Sequence, residues 1–356
     1  MNTKVTIRDV AAAAGVSISS VHFALTGKAG VSDETREKIR RTAEELGYQP
    51  NAFASNLKRS TQRAVLLLPS ETGDNQHYYP PVWKGIHDYM HKVNLNVSCI
   101  ELPFSESDKL HAVDTLKSMV REGSINGILT IGHIDGISAE EWEEIRRKDI
   151  SVVLISSENP QCHSLCCVRP EYEVIGRTMA ELITSHIPDF GSIFMCAGNP
   201  RWEAHALIVK GFEDYMSENH HPNLIYKDFS WSMEHQNYIN IFNGILRPDV
   251  AACCSVYSQG TILLGRALEE SGKAGAVYSV GSDISPIISD QIRRRILNNV
   301  IQKNPYAQGY VGIRTLAEYL ASGKLPEQKN IYVGSEVVLQ SNLVMYEHEQ
   351  YRNLFL

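Results

Sequence analysis

The sequence predicts two parts: an all-α helix-turn-helix domain at its start, and an α/β body of two lobes, each a doubly wound parallel sheet. Three observations carry this. Thr6 to Gly27 reads TIRDVAAAAGVSISSVHFALTG, two short amphipathic helices about a glycine. The rest alternates apolar β-type runs with amphipathic helical runs, twice over. Residues 1–63 hold 10 Lys and Arg against 6 Asp and Glu, leaving 24 against 35, so only the first part suits a polyanion. The expected boundaries are 1–48 for the first domain, 49–62 for a hinge and linker, 63–340 for the body and 341–356 for a tail. Within the body, lobe 1 is expected over 63–158 and 298–322, and lobe 2 over 163–285 and 328–340.

In chain order, Thr6 with Asp9 three residues on forms a capping box for the first helix, whose Ile7, Val10, Ala11 and Ala14 share a face. Gly15 supplies the positive φ of the turn. Ser17 is placed to cap the second helix, Val21 and Leu25 turn inward, and Ile18, Ser19, His22 and Phe23 are left largely free. A third helix starts after Ser32 with Asp33 and Glu34 in its first turn and stops at Gly47. Pro50, Asn51 and an Ala-rich stretch to Lys58 follow.

In the body, strands are expected at Ala64–Leu68, Val97–Ile100, Gly127–Ile131 and Val152–Ile155, with helices at Val82–Lys92, Lys109–Arg121 and Ala139–Lys148. A second set of strands follows at Ser192–Met195, Leu224–Lys227, Val250–Cys254 and Ala276–Val280, with helices such as Val174–Ser185 and Glu203–Ser217. Two such lobes imply a ligand cleft between them, where strand ends and loops converge.

Of the seven cysteines, Cys162, Cys166 and Cys167 cluster with His163. That cluster admits a metal or redox reading, but SLCCVR reads as a short strand ending in Pro170 and no second half-site with ligand spacing appears. Cys253-Cys254 reads as a buried strand, and no metal or cofactor is expected. The odd cysteine count, the lack of a charged-then-apolar leader and the lack of a bilayer-length apolar run place the protein in the cytoplasm, away from membranes. No phosphate-cradling G-x-x-x-x-G-K, G-x-S-x-G elbow or H-E-x-x-H helix argues for catalysis, although a two-lobed cleft by itself can host an enzyme.

The words TIRDVAAAAGVS, VSDETREKI and LGYQPN, with Ala54 and Leu57 spaced A-x-x-L, occur in the order and spacing of the lactose-repressor (LacI/GalR) family of bacterial transcription regulators, which the chain resembles over its whole length. The resemblance implies a periplasmic-binding-protein-like body, crossed by the chain near Ser157–Cys162, Ser282–Val300 and Gly323–Asn330. It also implies base contacts by Ile18, Ser19, His22 and Phe23, although relatives commonly have serine and arginine where His22 and Phe23 stand. The loss of a guanine reader makes an atypical operator expected, and Phe23 also fits a core position. Thr6, Arg8, Ser17, Ser20 and Ser32, with Lys4, are placed for the DNA backbone, and Asn51, Ser55 and Lys58 belong to the hinge contacts. The leucine matching Leu57 wedges between base pairs in the minor groove of relatives, while Phe53, one turn earlier, also fits packing against a partner hinge.

For the effector, VGSD at 280–283 and VIQKNPYAQGY at 300–310 resemble the sugar-sensing, ribose-type branch and imply Asp283 and Gln302 as hydroxyl partners, with Tyr78 and Tyr79 as flat ring surfaces. Two departures stand out: Ile208 occupies the place of an arginine clamp, and Tyr257-Ser258 the place of Asn-Asp. A phosphorylated or acidic effector thus loses its clamp, leaving a neutral ligand, or no ligand, as the expectation. Together these readings make a homodimeric regulator, expected to repress, that binds a pseudo-palindromic double-stranded operator and senses a small molecule, most simply a neutral sugar. A ligand-independent regulator is the alternative, and an enzyme built on the body the more distant one.

Overall fold

The computed structural model describes residue 5 and residues 7–26, 31–46, 62–73, 76–93, 97–231 and 235–347, without the side chains of Ile7, Arg8, Ser19, His22, Phe23, Thr26, Asp33 and His235. The chain divides into two compact units, Met1–Ser60 and Thr61–Leu356.

In the first unit, α1 (Ile7–Ala14), α2 (Ile18–Thr26) and α3 (Asp33–Glu45) enclose a small core of Val10, Ala11, Ala14, Val21, Ala24, Ile39 and Ala43. Leu25, expected inside, packs only partly against it, and Ala24 takes the buried place. Gly15 has a φ of 68° and carries the turn, closed by the Val16 N–H donating to Ala11 O at 3.0 Å. The Ser17 hydroxyl accepts from Ser20 N–H at 3.0 Å and that of Ser32 from Thr35 N–H at 3.3 Å, so both residues cap helices. Arg36 donates to Ala24 O at 3.2 Å, tying α3 to the last turn of α2. The expected cap Thr6, the stop at Gly47 and the hinge with Asn51, Phe53, Ser55, Leu57 and Lys58 lie outside the described residues.

The second unit begins with β1 (Gln62–Pro69), α4 (Tyr79–Lys92), β2 (Val97–Phe104), α5 (Lys109–Glu122), β3 (Gly127–Ile131), α6 (Ala139–Arg147), β4 (Ser151–Ile155) and β5 (Cys166–Arg169). It continues with α7 (Tyr172–Thr184), β6 (Ser192–Cys196), α8 (Glu203–Glu218), β7 (Ile225–Asp228), α9 (His235–Leu246), β8 (Val250–Ser255), α10 (Ser258–Glu270), β9 (Tyr278–Ser282), α11 (Pro286–Arg293) and β10 (Asn299–Gln302). It closes with α12 (Pro305–Ser322), β11 (Asn330–Tyr332), β12 (Glu336–Leu339) and α13 (Val344–Glu347). The first sheet runs β11-β5-β4-β3-β1-β2 and the second β12-β10-β9-β8-β6-β7, all parallel except β12, which runs antiparallel to β10. The central strands are buried on both faces, as continuous apolar runs such as GILTI and SVVLI require.

The crossings between lobes are displaced from the expected places. β5 pairs with β4 through Val153 and Cys166, so the first crossing follows Arg169 rather than Ser157–Cys162. β10 pairs with β9 and stays in the second lobe, which puts the next crossing at 303–304. β11 pairs with β5, so the last crossing lies at 333–335 instead of 323–330. Cys166 and Cys167, like Cys253 and Cys254, are buried strand residues, and burial pushes the Cys166 thiol up to about 11. Among the described residues no helix is long and apolar enough to cross a membrane.

Candidate functional site

Parallel strands deliver their following loops to one edge of a sheet, and the two lobes present these edges to each other. The first lobe contributes Tyr78 and Tyr79 after β1, Glu106 after β2, His133 after β3 and Ser156 after β4. The second contributes Trp202 and His205 after β6, Trp231 after β7, Tyr257 and Gln259 after β8, Asp283 after β9 and Lys303 after β10. With Tyr172 at the start of α7, they enclose a cleft cavity of about 360 Å³.

Aromatic rings dominate it. Trp202 sits at the centre of a cluster, 4.9 Å from Trp231, 5.1 Å from His205 and 5.1 Å from His133 between ring centroids, so the last contact bridges the lobes. Tyr78 and Tyr79 meet edge to face at 5.3 Å. Polar tips of these rings are held: Tyr257 donates to Ser230 O at 2.8 Å, Tyr172 to Ser156 O at 2.6 Å, and Gln308 donates to the Tyr78 hydroxyl at 3.0 Å. His205 Nδ1 accepts the Asn199 N–H at 3.0 Å, which fixes the neutral tautomer. The bend before it needs Gly198, where φ is 65° and a Cβ would lie 2.4 Å from His205 Nδ1. Burial pushes His133 down to about 4 and lowers His205 as well, so both rings stay uncharged near neutral pH.

One ion pair sits in the wall. Asp283, with a φ of 65° and 1% exposed, lies 2.9 Å from the Lys303 ammonium, which also donates to Val256 O at 3.0 Å. Burial raises the Asp283 carboxyl and the lysine opposes that shift. Lys303 is the one Lys or Arg among the described residues lining the cavity, and it is already paired. Gln259 is 7% exposed, and its buried Oε1 has no hydrogen-bond partner among the described residues.

Of the residues expected here, Tyr78, Tyr79, Tyr257 and Asp283 line the cavity. Ile208 does not: it is fully buried in the core of the second lobe, where α8 packs on α7. Gln302 does not either, because it is the last residue of β10 and lines a separate cavity, while the next residue, Lys303, enters the cleft. His133, Trp202, His205, Trp231, Gln259 and Lys303 were not singled out from the sequence; His133, Trp231, Gln259 and Lys303 lie within a few residues of a strand end, whereas Trp202 precedes α8 and His205 lies in its first turn. In the first unit, Ile18 is 46% exposed at the start of α2, next to Ser17, whose hydroxyl lies 2.9 Å from that of Ser20. Thr6, Asn51, Ser55, Leu57 and Lys58, and the side chains of Arg8, Ser19, His22 and Phe23, lie outside the described residues.

Residues 6–51 match the bacterial regulatory proteins of the lacI family, and residues 64–325 match the periplasmic binding protein domain. Catabolite control protein A of Staphylococcus xylosus is 25% identical over 334 residues, covering 91% of this chain and 94% of that protein. The transcriptional regulator MalR of Streptococcus pneumoniae is 33% identical over 128 residues, 35% of this chain and 38% of its own length. In fold the chain is similar to a LacI transcriptional regulator from Bacteroides fragilis (TM-score 0.69, 17% identity, 81% and 100% of the two chains). It is also similar to a solute-binding protein from Agrobacterium vitis solved with D-fucose (TM-score 0.70, 19% identity, 82% and 99%).

Proposed function

The chain belongs to the lacI family of bacterial regulatory proteins and is a DNA-binding transcriptional regulator; from that premise we propose that its cleft takes an uncharged, ring-shaped small molecule, most simply a sugar, whose binding sets the operator affinity of a homodimeric repressor. The observation that carries the ligand class is the cleft's lining: faces of Trp202, Trp231, Tyr78 and Tyr79, and a single cation already neutralised by Asp283. Aromatic rings suit the apolar face of a pyranose, while Gln259, Ser258 and Glu106 offer groups for its hydroxyls. A phosphate or carboxylate entering here would meet Glu106 and Asp283 with no guanidinium among the described lining residues to receive it. D-fucose and D-allose in proteins of similar fold support the same class.

On the DNA side, α2 is the reading helix, with Ile18, Ser19, His22 and Phe23 toward bases and Arg8, Ser17, Ser20 and Ser32 toward phosphates. One such unit covers a half-site, so two copies read a pseudo-palindrome. Regulation rather than catalysis is the role of the cleft, and the protein works in the cytoplasm, where the DNA is.

Two tryptophans in the cavity make the test direct. Intrinsic fluorescence is titrated with D-allose, D-fucose, D-glucose and glucose 6-phosphate. Saturable change with a neutral sugar, lost in Trp202→Ala, is the expected result. Response to the phosphorylated sugar alone contradicts the neutral-ligand reading, and response to none of a wide set of neutral sugars favours a ligand-independent regulator.

A further inference from the structure

The Lys303 ammonium is held in the cleft wall as a bound cation would be. Its Nζ lies 2.9 Å from Asp283 Oδ2, donates to Val256 O at 3.0 Å and stands 5.6 Å from the centroid of the Tyr78 ring. A carboxylate, a carbonyl and an aromatic face are the groups that receive an alkylammonium ion: two acceptors for its donors and a π-face for its charge. They come from three places in the fold, the loops after β9 and β8 in the second lobe and the segment before α4 in the first.

The lysine stem is fixed at its base. Lys303 follows β10; its N–H donates to Asp283 Oδ1 at 3.4 Å, and its carbonyl accepts from Gln308 Nε2 at 2.9 Å. The same Gln308 nitrogen donates to the Tyr78 hydroxyl at 3.0 Å, so one fully buried side chain sets both the lysine and the ring. Lys303 and Asp283 both line the cavity although they are only 5% and 1% exposed, and the group that covers the carboxylate is the protein's own ammonium. Glu106, the other acidic residue among the described lining residues, pairs with Lys109 at 2.9 Å. Both carboxylates of the cleft are therefore met by lysines of the chain itself.

We propose that Lys303 is the specificity-determining residue of the cleft against positive charge: it fills an ammonium subsite with the protein's own cation, so the cleft refuses ligands that carry an alkylammonium group, and a shorter residue at this position admits them. The proposal rests on the reading of the cleft as a ligand site and explains why that site selects uncharged molecules. Removing the lysine leaves the carboxylate, the carbonyl and the ring in place around a space that opens into the cavity.

The test uses the full chain and two matched probes, n-propylammonium, which reproduces the part of the side chain that Lys303→Ala removes, and uncharged 1-propanol. Calorimetry and circular-dichroism melting follow binding. Lys303→Ala should bind propylammonium at least about tenfold more tightly than 1-propanol and melt higher in its presence, while the wild type shows neither effect. Lys303→Ser, which opens the same space and leaves a hydroxyl against the wall, is the second variant should Lys303→Ala not fold alone. Adding Asp283→Asn to either variant should abolish the preference for the ion. Equal binding of ion and alcohol, a preference that survives Asp283→Asn, wild-type binding of propylammonium as tight as the variant's, or failure of both variants to fold even in saturating propylammonium overturns the assignment. No sugar enters the test, so an absent sugar response would strike the sugar reading of the cleft and leave this result standing.

Discussion

Asp283 illustrates what a residue-level reading reaches and what it misses. The GSD stretch marks it as a cleft residue, and it is one, but its partner is Lys303 of the same lobe at 2.9 Å rather than an open cavity. Truncating one member of a buried pair leaves the other charge without compensation, so Asp283→Ala should lower the unfolding free energy by roughly 3–5 kcal/mol, and adding Lys303→Met should recover part of it. Urea denaturation of the single and double variants checks this; a single variant within error of wild type would show that the pair contributes nothing. His133 carries a pH effect of known sign. Its folded value, about 4, lies below the usual 6.5, so the unfolded chain binds more protons between the two, and stability is full above about 6.5 and falls as pH drops toward 4. His133→Gln should show a smaller loss of melting temperature between pH 7 and pH 5 than wild type, and an equal loss would contradict burial of the neutral ring. His133 and Trp202 were illegible in the sequence because a lone histidine or tryptophan after a strand has no pattern; the fold alone brings them to 5.1 Å.

Helices and strands differ in how plainly the sequence announces them. Strands such as β1, β3 and β4 are uninterrupted apolar runs and are read directly, as are the capped helices α3 and α6. β5, β10 and β11 span only three or four residues, and nothing local says which sheet they join; pairing to β4, β9 and β5 decides it, which is why all three crossings were misplaced. Packing of helix pairs is likewise set by positions with no periodic signal. A Cβ on Gly309 of α12 would lie 2.1 Å from Val82 O of α4, and one on Gly211 of α8 would lie 2.1 Å from Glu173 O of α7. Backbone cannot step aside as a side chain can, so Gly309→Ala should force the pair apart and destabilise the body by about 1–3 kcal/mol. Chemical denaturation measures it, and an unaltered midpoint would mean that the helices do not touch there.

At the scale of the whole molecule, the division into a basic DNA-reading unit and an acidic sensing body is legible from charge and from the ordered motifs of the first 60 residues. Effector identity is less legible because the cleft draws residues from many loops of two sheets, and the sequence names only those that fall inside family motifs. The proposed coupling makes Leu57 informative: Leu57→Ala should lose operator affinity while keeping salt-sensitive non-specific binding, because wedging specifies a step and phosphate contacts do not. Operator affinity equal to wild type would remove the wedge from the mechanism. The most direct test of ligand-controlled operator binding is the affinity of the full-length protein for a duplex it selects from a random pool, measured with and without a saturating neutral sugar that perturbs its tryptophan fluorescence. The predicted result is enrichment of a pseudo-palindrome whose affinity shifts when the sugar is added; failure to enrich any duplex, or an affinity indifferent to a sugar that demonstrably occupies the cleft, would contradict it.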